Sequence, residues 1–194
     1  MTAKAGIKIY GEKAEQALMQ EFAQLEELGD FLAKNEKELT REQKGEALRA
    51  INLITKKRDG RIKGQTVADG SVQKDLYEKS QMASPTISTD ALLISLIVDA
   101  HEKWDVAVAD VMAAYLKADM NDYTLLKFTG ESVDIMCKMN LKYKEYVSIE
   151  SGRKVIYVQL LNSLYGCVVS ELLWYELFSG YLKEMGFEIN PYDS

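Results

Sequence analysis

The sequence has 194 residues, enough for one domain or two small lobes sharing a core. Hydrophobic residues at 47% and charged residues at 28% are ordinary for a folded globular protein and argue against a disordered chain. A net charge of −6 is a poor match to a protein that coats nucleic acid through a general basic surplus, so any such binding has to rest on local charge. Cys137 and Cys167 are too few for a disulfide framework, and with His101 the only histidine and the cysteines thirty residues apart the sequence argues against a zinc site. Met1 to Tyr10 contains no apolar run of the signal-peptide kind, and the longest strongly apolar stretch, Ala91 to Val98, is far short of a membrane span. A cytoplasmic protein with no membrane partner is expected.

In chain order, Ala14, Leu18, Phe22, Leu25 and Leu28 fall at helical spacing, so Gly11 to Leu28 is read as an amphipathic helix stopped by Gly29. Lys34 to Lys44 is charged and is expected to be a solvated loop or helix surface. Ala50 to Thr55 and Ile62 to Val67, separated by Asp59-Gly60, form the signature of a β-hairpin. Its tip is basic, with Lys56, Lys57, Arg58, Arg61 and Lys63, which reverses the sign of the chain as a whole.

Gly70 to Met82 is polar and read as loop. Ser84-Pro85 offers a helix N-cap followed by proline at the first helical position, which predicts a helix from about Thr86 to Glu102. Trp104 to Asp110 alternates as a strand does and is expected to deliver Asp110 at its end. Thr124 to Phe128 is a further strand, Glu145 to Ile149 and Val155 to Gln159 a hairpin around Ser151-Gly152, and Tyr165 to Met185 a long helix ended by Gly186. Strands and helices mix without a regular βαβ repeat, which favours an α+β fold.

Four segments carry a family resemblance. The string Trp104-Asp-Val-Ala-Val-Ala-Asp110-Val111-Met-Ala-Ala-Tyr115-Leu116 resembles the first catalytic motif of reverse transcriptases of the Ty1/copia retrotransposon kind. Gln159 to Tyr175, containing Ser163-Leu164-Tyr165-Gly166 and Trp174-Tyr175, resembles a second. Ile62 to Gly70 is similar to the fingers segment, and Ala83-Ser84-Pro85-Thr86 to the segment before the leucine-rich helix. The resemblance covers about residues 50–194 and implies an incomplete antiparallel palm sheet packed on helices, with fingers, after an N-terminal helical extension over residues 1–49.

By that resemblance Asp110 is a metal ligand and the catalytic carboxylate, Tyr115 a steric gate under the incoming sugar, and Val111 a backbone N–H donor near the triphosphate. Gly166 lets backbone approach template and base, and Lys63 grips the triphosphate. Gln65 stands where the family has arginine and Asp69 replaces a second basic position; a neutral amide makes a weaker phosphate contact than a charged one. The implied cofactor is Mg2+ or Mn2+, and the implied partners are an RNA or DNA template-primer and a deoxynucleoside triphosphate, all in a full-length enzyme. Asn190 to Ser194 resembles the segment just before the family's aromatic-x-Asp-Asp motif, and no Asp-Asp pair occurs in the 194 residues. The chain alone is therefore expected to be inactive in polymerisation. Two alternatives stand beside this reading: a nucleic-acid-binding remnant without catalysis, and an unrelated soluble α+β domain, which the absence of a strand ending at Asp110 would favour.

Overall fold

The computed structural model describes residues 1–74, 77–79 and 82–189. Its elements are α1 (Ala3–Tyr10), α2 (Glu12–Glu27), β1 (Phe31–Lys34), α3 (Arg41–Glu46), β2 (Leu48–Lys56), β3 (Ile62–Asp69), α4 (Thr89–Glu102), β4 (Asp119–Thr129), α5 (Glu131–Met139), β5 (Ser148–Glu150), β6 (Arg153–Asn162) and α6 (Ser170–Glu184), with short 3-10 turns between them. The strands make one mixed sheet in the order β1-β6-β4-β2-β3, with β5 also paired to β6. All joins are antiparallel except the short one between β2 and β4, where Leu48 lies against Leu126 and Arg49 against Lys127.

The sheet is covered on both faces, which explains the unbroken apolar run at the centre of β6. Ile156, Val158 and Leu160 join the main core with Leu18, Phe22 and Leu25 of α2 and Leu126 and Phe128 of β4. Val155 and Tyr157 turn the other way, into a smaller cluster with Leu39, Ala47 and Leu125. Alternate residues of one strand thus serve two cores, as the two-residue strand period requires. Phe22 and Phe31 both meet Phe128 edge-on, with ring centroids 5.5 and 5.7 Å apart. Burying each such side chain contributes roughly 1.5–3 kcal/mol.

Residues 1–49 do not stand apart from this core. α2 supplies much of it, β1 pairs with β6 from Phe31↔Leu160 to Lys34↔Tyr157, and the Met1 ammonium donates to the Ile54 carbonyl at 3.0 Å. α2 also covers the outer edge of the sheet. Glu21 Oε1 accepts the Thr66 N–H of β3 at 2.8 Å, and a Cβ at Gly64 would stand 2.6 Å from the Ala17 carbonyl oxygen, so only glycine allows this approach.

The α2 helix and the β2–β3 hairpin lie where the sequence pattern puts them. The charged stretch after Lys34 carries the short solvated helix α3, started by a reciprocal capping box of Thr40 and Gln43. Three expectations differ. α4 begins at Thr89, because the Ser88 side chain, and not Ser84, accepts the Ala91 N–H at 3.1 Å. Helix α6 begins at Ser170 and not at Tyr165: Gly166 sits at φ 91°, outside helical backbone, and the Ser170 hydroxyl donates to the Leu164 carbonyl at 2.7 Å.

The third difference matters most. Residues 104–111 form no strand, and Val108 is 96% exposed. Alternation supplies a strand with two faces, but a strand also needs a neighbour with free N–H and C=O groups. None of the sheet's strands takes residues 104–111 as a partner: the order β1-β6-β4-β2-β3, with β5 on β6, accounts for the described pairings, and at the β3 edge the Thr66 N–H is met by Glu21 of α2. The preceding helix α4 has leucine and isoleucine on every side and no buried residue. No helix among the described residues is long and apolar enough to cross a membrane. Asn190 to Ser194 lies outside the described residues.

Candidate functional site

The residues singled out in three separate segments meet around Tyr165-Gly166. Strand β6 ends at Asn162, and the next residue, Ser163, is fully buried. Its hydroxyl donates to the Tyr115 carbonyl at 2.6 Å and its N–H to the Ala118 carbonyl at 2.7 Å. These two bonds fix the turn carrying Tyr115 against the end of β6, and they place the Tyr115 and Tyr165 rings 4.9 Å apart at 56°. The far end of β3 closes the other side. The Ala68 N–H donates to the Tyr165 carbonyl at 2.7 Å, and Gly166 packs so tightly on Ala68 that any Cβ would collide with the Ala68 carbonyl oxygen. Gly70 meets the Gly166 carbonyl in the same way.

The charges around this junction define its chemistry. Burial raises the Tyr165 hydroxyl, and the negative charges of Glu21 and Asp110 raise it further. Both carboxylates therefore lie within electrostatic reach of that ring. Tyr115 is raised by burial first, then by Glu171 and Tyr165. Glu21 is itself raised by burial, while the Thr66 N–H and the Lys63 ammonium act in the opposite direction. Lys63, Lys57 and Arg61 line a cavity of about 270 Å³ between α2 and β3, together with Gln20, Glu21 and Gln24.

The structure therefore brings Tyr115 beside Tyr165-Gly166, while Asp110 and Lys63 act there only through the reach of their charges, Asp110 on Tyr165 and Lys63 on Glu21. Asp110 is exposed on the unpaired segment 104–111, and Val111 beside it is half-buried. Gln65 is half-buried and shares a β3 face with Lys63 and Asp69. Asp69 is neutralised rather than free. Its carboxyl is held down to about 2 by hydrogen bonds from Ser71 and Arg49, and the Arg49 guanidinium binds it through two nitrogens. At the hairpin tip Arg61 is tied to Asp59 at 2.6 Å, leaving Lys56, Lys57, Arg58 and Lys63 as exposed charges outside any ion pair among the described residues.

Asp110 does not assemble a metal centre with what surrounds it. Among the described residues no three histidine, cysteine, aspartate or glutamate side chains converge as ligands, at Asp110 or elsewhere. A pair of divalent ions needs several oxygen ligands to neutralise and place it, so the residues present do not fit one.

Two contributors were not legible in the sequence. Glu21 reads as one of many polar residues on a helix face, and only the fold carries it to the β3 edge. Asp30 is 1% exposed at the start of β1, where it receives a hydrogen bond from Asn162 at 2.8 Å. Their partners lie 45 and 132 residues away, which no local pattern encodes.

Comparison with known proteins points to the origin of these motifs. Over 145 residues, 72% of this chain, it is 32% identical to the transposon Ty1-LR2 Gag-Pol polyprotein of Saccharomyces cerevisiae, and equally to the Ty1-ML2 Gag-Pol polyprotein of the same yeast. The truncated transposon Ty1-A Gag-Pol polyprotein shows the same 32% identity. The chain spans 7% of the length of the first two relatives and 10% of the third. No protein-family profile matches the chain, and no solved structure matches it. The missing strand at Asp110 would by itself favour an unrelated α+β domain, but identity over nearly three quarters of the chain weighs against coincidence. The similarity supports a Ty1/copia retrotransposon origin for this chain.

Proposed function

We propose that this chain is the fingers and part of the palm of an RNA-directed DNA polymerase, related to the polymerase portion of a retrotransposon polyprotein. The observation that carries the reading is the junction at Tyr165-Gly166, where residues far apart in sequence are locked by the Ser163 and Ala68 hydrogen bonds. In this reading Tyr115 forms the wall beneath the incoming sugar, and Gly166 lets backbone approach the base pair. Lys63 supplies positive charge to the triphosphate, with Gln65 as a neutral donor beside it. Asp110 is the single carboxylate the chain brings to nucleotidyl transfer. No metal-assisted step is assigned to this chain, because the ligands are too few.

A photoactivatable deoxynucleoside triphosphate tests the reading directly. Crosslinks mapped to peptides containing Lys63 or Tyr115, and lost on competition with unmodified triphosphate, are the expected result. Crosslinks scattered elsewhere would overturn it.

The exposed Lys56, Lys57 and Arg58 favour a second reading, in which the chain holds an RNA–DNA hybrid without catalysis. Its affinity should then fall steeply with salt. Replacing Lys57 and Arg58 by glutamate should weaken binding to all sequences alike and reduce the salt slope by about one per lost phosphate contact. Hybrid affinity unchanged by both substitutions counts against it.

A further inference from the structure

Away from the basic hairpin, α5, the 3-10 turn Leu141–Tyr146 and the start of β6 line a second, open cavity of about 670 Å³. Its size is that of sites for nucleotide-sized ligands. Lys138, Lys144 and Lys154 line it against one carboxylate, Asp134, and the remaining wall includes Cys137, Leu141 and Val147. In a chain of net charge −6 this is a local excess of positive charge around an apolar floor.

The three lysines differ in their freedom. Lys138 is bound to Glu15 at 2.7 Å and Lys154 to Asp134 at 2.5 Å. Lys144 makes no ion pair among the described residues, so its ammonium is the charge an incoming anion meets unopposed. Burial and then the Asp134 charge raise the half-buried Cys137 thiol, and the charges of Lys144 and Lys154 oppose them; all four side chains line this one cavity.

We infer that this lysine-lined cavity is an anion site, separate from the Tyr165-Gly166 junction, that takes a phosphate-bearing ligand with an apolar or aromatic body. Lys144 meets the phosphate, Lys154 adds charge at the cost of its bond to Asp134, and Val147, Cys137 and the lysine stems cover the apolar part. The site does not depend on any polymerase role.

Cys137 supplies the readout, because the other thiol, Cys167, is 5% exposed. The full chain is treated with dithiobis-nitrobenzoate, an aromatic dianion, and separately with neutral dithiodipyridine, and the labelled peptide is identified. The anionic reagent should react with Cys137 faster relative to the neutral one than it does with a free thiol. Lys144→Glu should lower that ratio about tenfold, with Lys144→Gln intermediate. Adenosine triphosphate should protect Cys137 in the native chain and fail to do so in Lys144→Glu. A triphosphate bound only at the Lys63 side of α2 leaves Cys137 unprotected. That result, or a reagent ratio insensitive to both Lys144 variants, overturns the proposal, as does a Cys137 inert to both reagents in the folded protein.

Discussion

Asn162 donates one amide hydrogen to Asp30 Oδ1 at 2.8 Å and the other to the Leu116 carbonyl at 3.0 Å, so a single side chain ties the start of β1 to the turn that carries Tyr115. The bond to Asp30 satisfies only half of that carboxyl. Oδ2 is buried and has no partner among the described residues. Burial pushes the Asp30 pKa up to about 6, and the Asn162 hydrogen bond offsets this only in part.

The sign of the linkage follows. The unfolded chain holds Asp30 near the ordinary pKa of about 3.9, so between roughly pH 4 and 6 the folded state binds the extra proton. Asp30 favours folding most below the unfolded value, and this contribution is lost as pH rises through about 6. Urea titrations from pH 4 to 7 should show native stability falling relative to Asp30→Asn, by on the order of 2–3 kcal/mol across the window. The asparagine keeps an acceptor for Asn162 and carries no charge. Parallel stability curves for the two proteins would refute the buried-charge account.

Gly166 is the second position where a small change should have a large effect. Alanine there must adopt φ 91° and also push its methyl into the Ala68 carbonyl. Left-handed backbone alone costs about 1 kcal/mol, and the collision adds more, so Gly166→Ala should destabilise by about 2–4 kcal/mol. Amide exchange at Ala68, whose N–H is bound to the Tyr165 carbonyl, should accelerate more than exchange in the middle of β6. An alanine variant as stable as the native chain would show that the turn relaxes freely.

Local chemistry was readable in the sequence where a short pattern decides it. Asp59-Gly60 between β-branched runs gives the hairpin, and Leu18, Phe22 and Leu25 give the buried face of α2. The pattern failed where a distant partner decides. Trp104 to Asp110 has a strand's alternation, but no strand of the described sheet pairs with it. α4 has a buried helix's composition and no described surface against it. At the site, the motif residues Tyr115 and Gly166 were visible by type and spacing. Ser163 and Asn162, which hold the Tyr115 turn, act across the fold, as does Glu21 at the β3 edge.

The exposed apolar helix gives a prediction of its own. Ile94 and Ile97 are 62% and 68% exposed, so replacing both with lysine removes no core contact. The melting temperature should stay within about 1 °C, since surface changes away from special features shift stability by under roughly 0.5 kcal/mol. Self-association measured by light scattering should fall, because the contiguous apolar surface that drives it is broken. A large loss of melting temperature would mean that α4 packs on the core.

The last prediction concerns metal and catalysis. Asp110 is exposed and no cluster of three ligands exists among the described residues. One carboxylate holds a divalent ion weakly in water, because each such ion otherwise takes six or more oxygens. Mg2+ or Mn2+ should therefore leave the melting temperature unchanged, and Asp110→Asn should melt like the native chain in both conditions. Primer extension by this chain should be undetectable. If the chain is joined to a segment supplying an Asp-Asp hairpin, extension should appear, and Asp110→Asn should abolish it with folding intact. In that longer protein Tyr115→Val should raise incorporation of ribonucleotides relative to deoxyribonucleotides, because the wall that meets the 2′-hydroxyl is gone. Extension that survives Asp110→Asn would remove this residue from the chemistry.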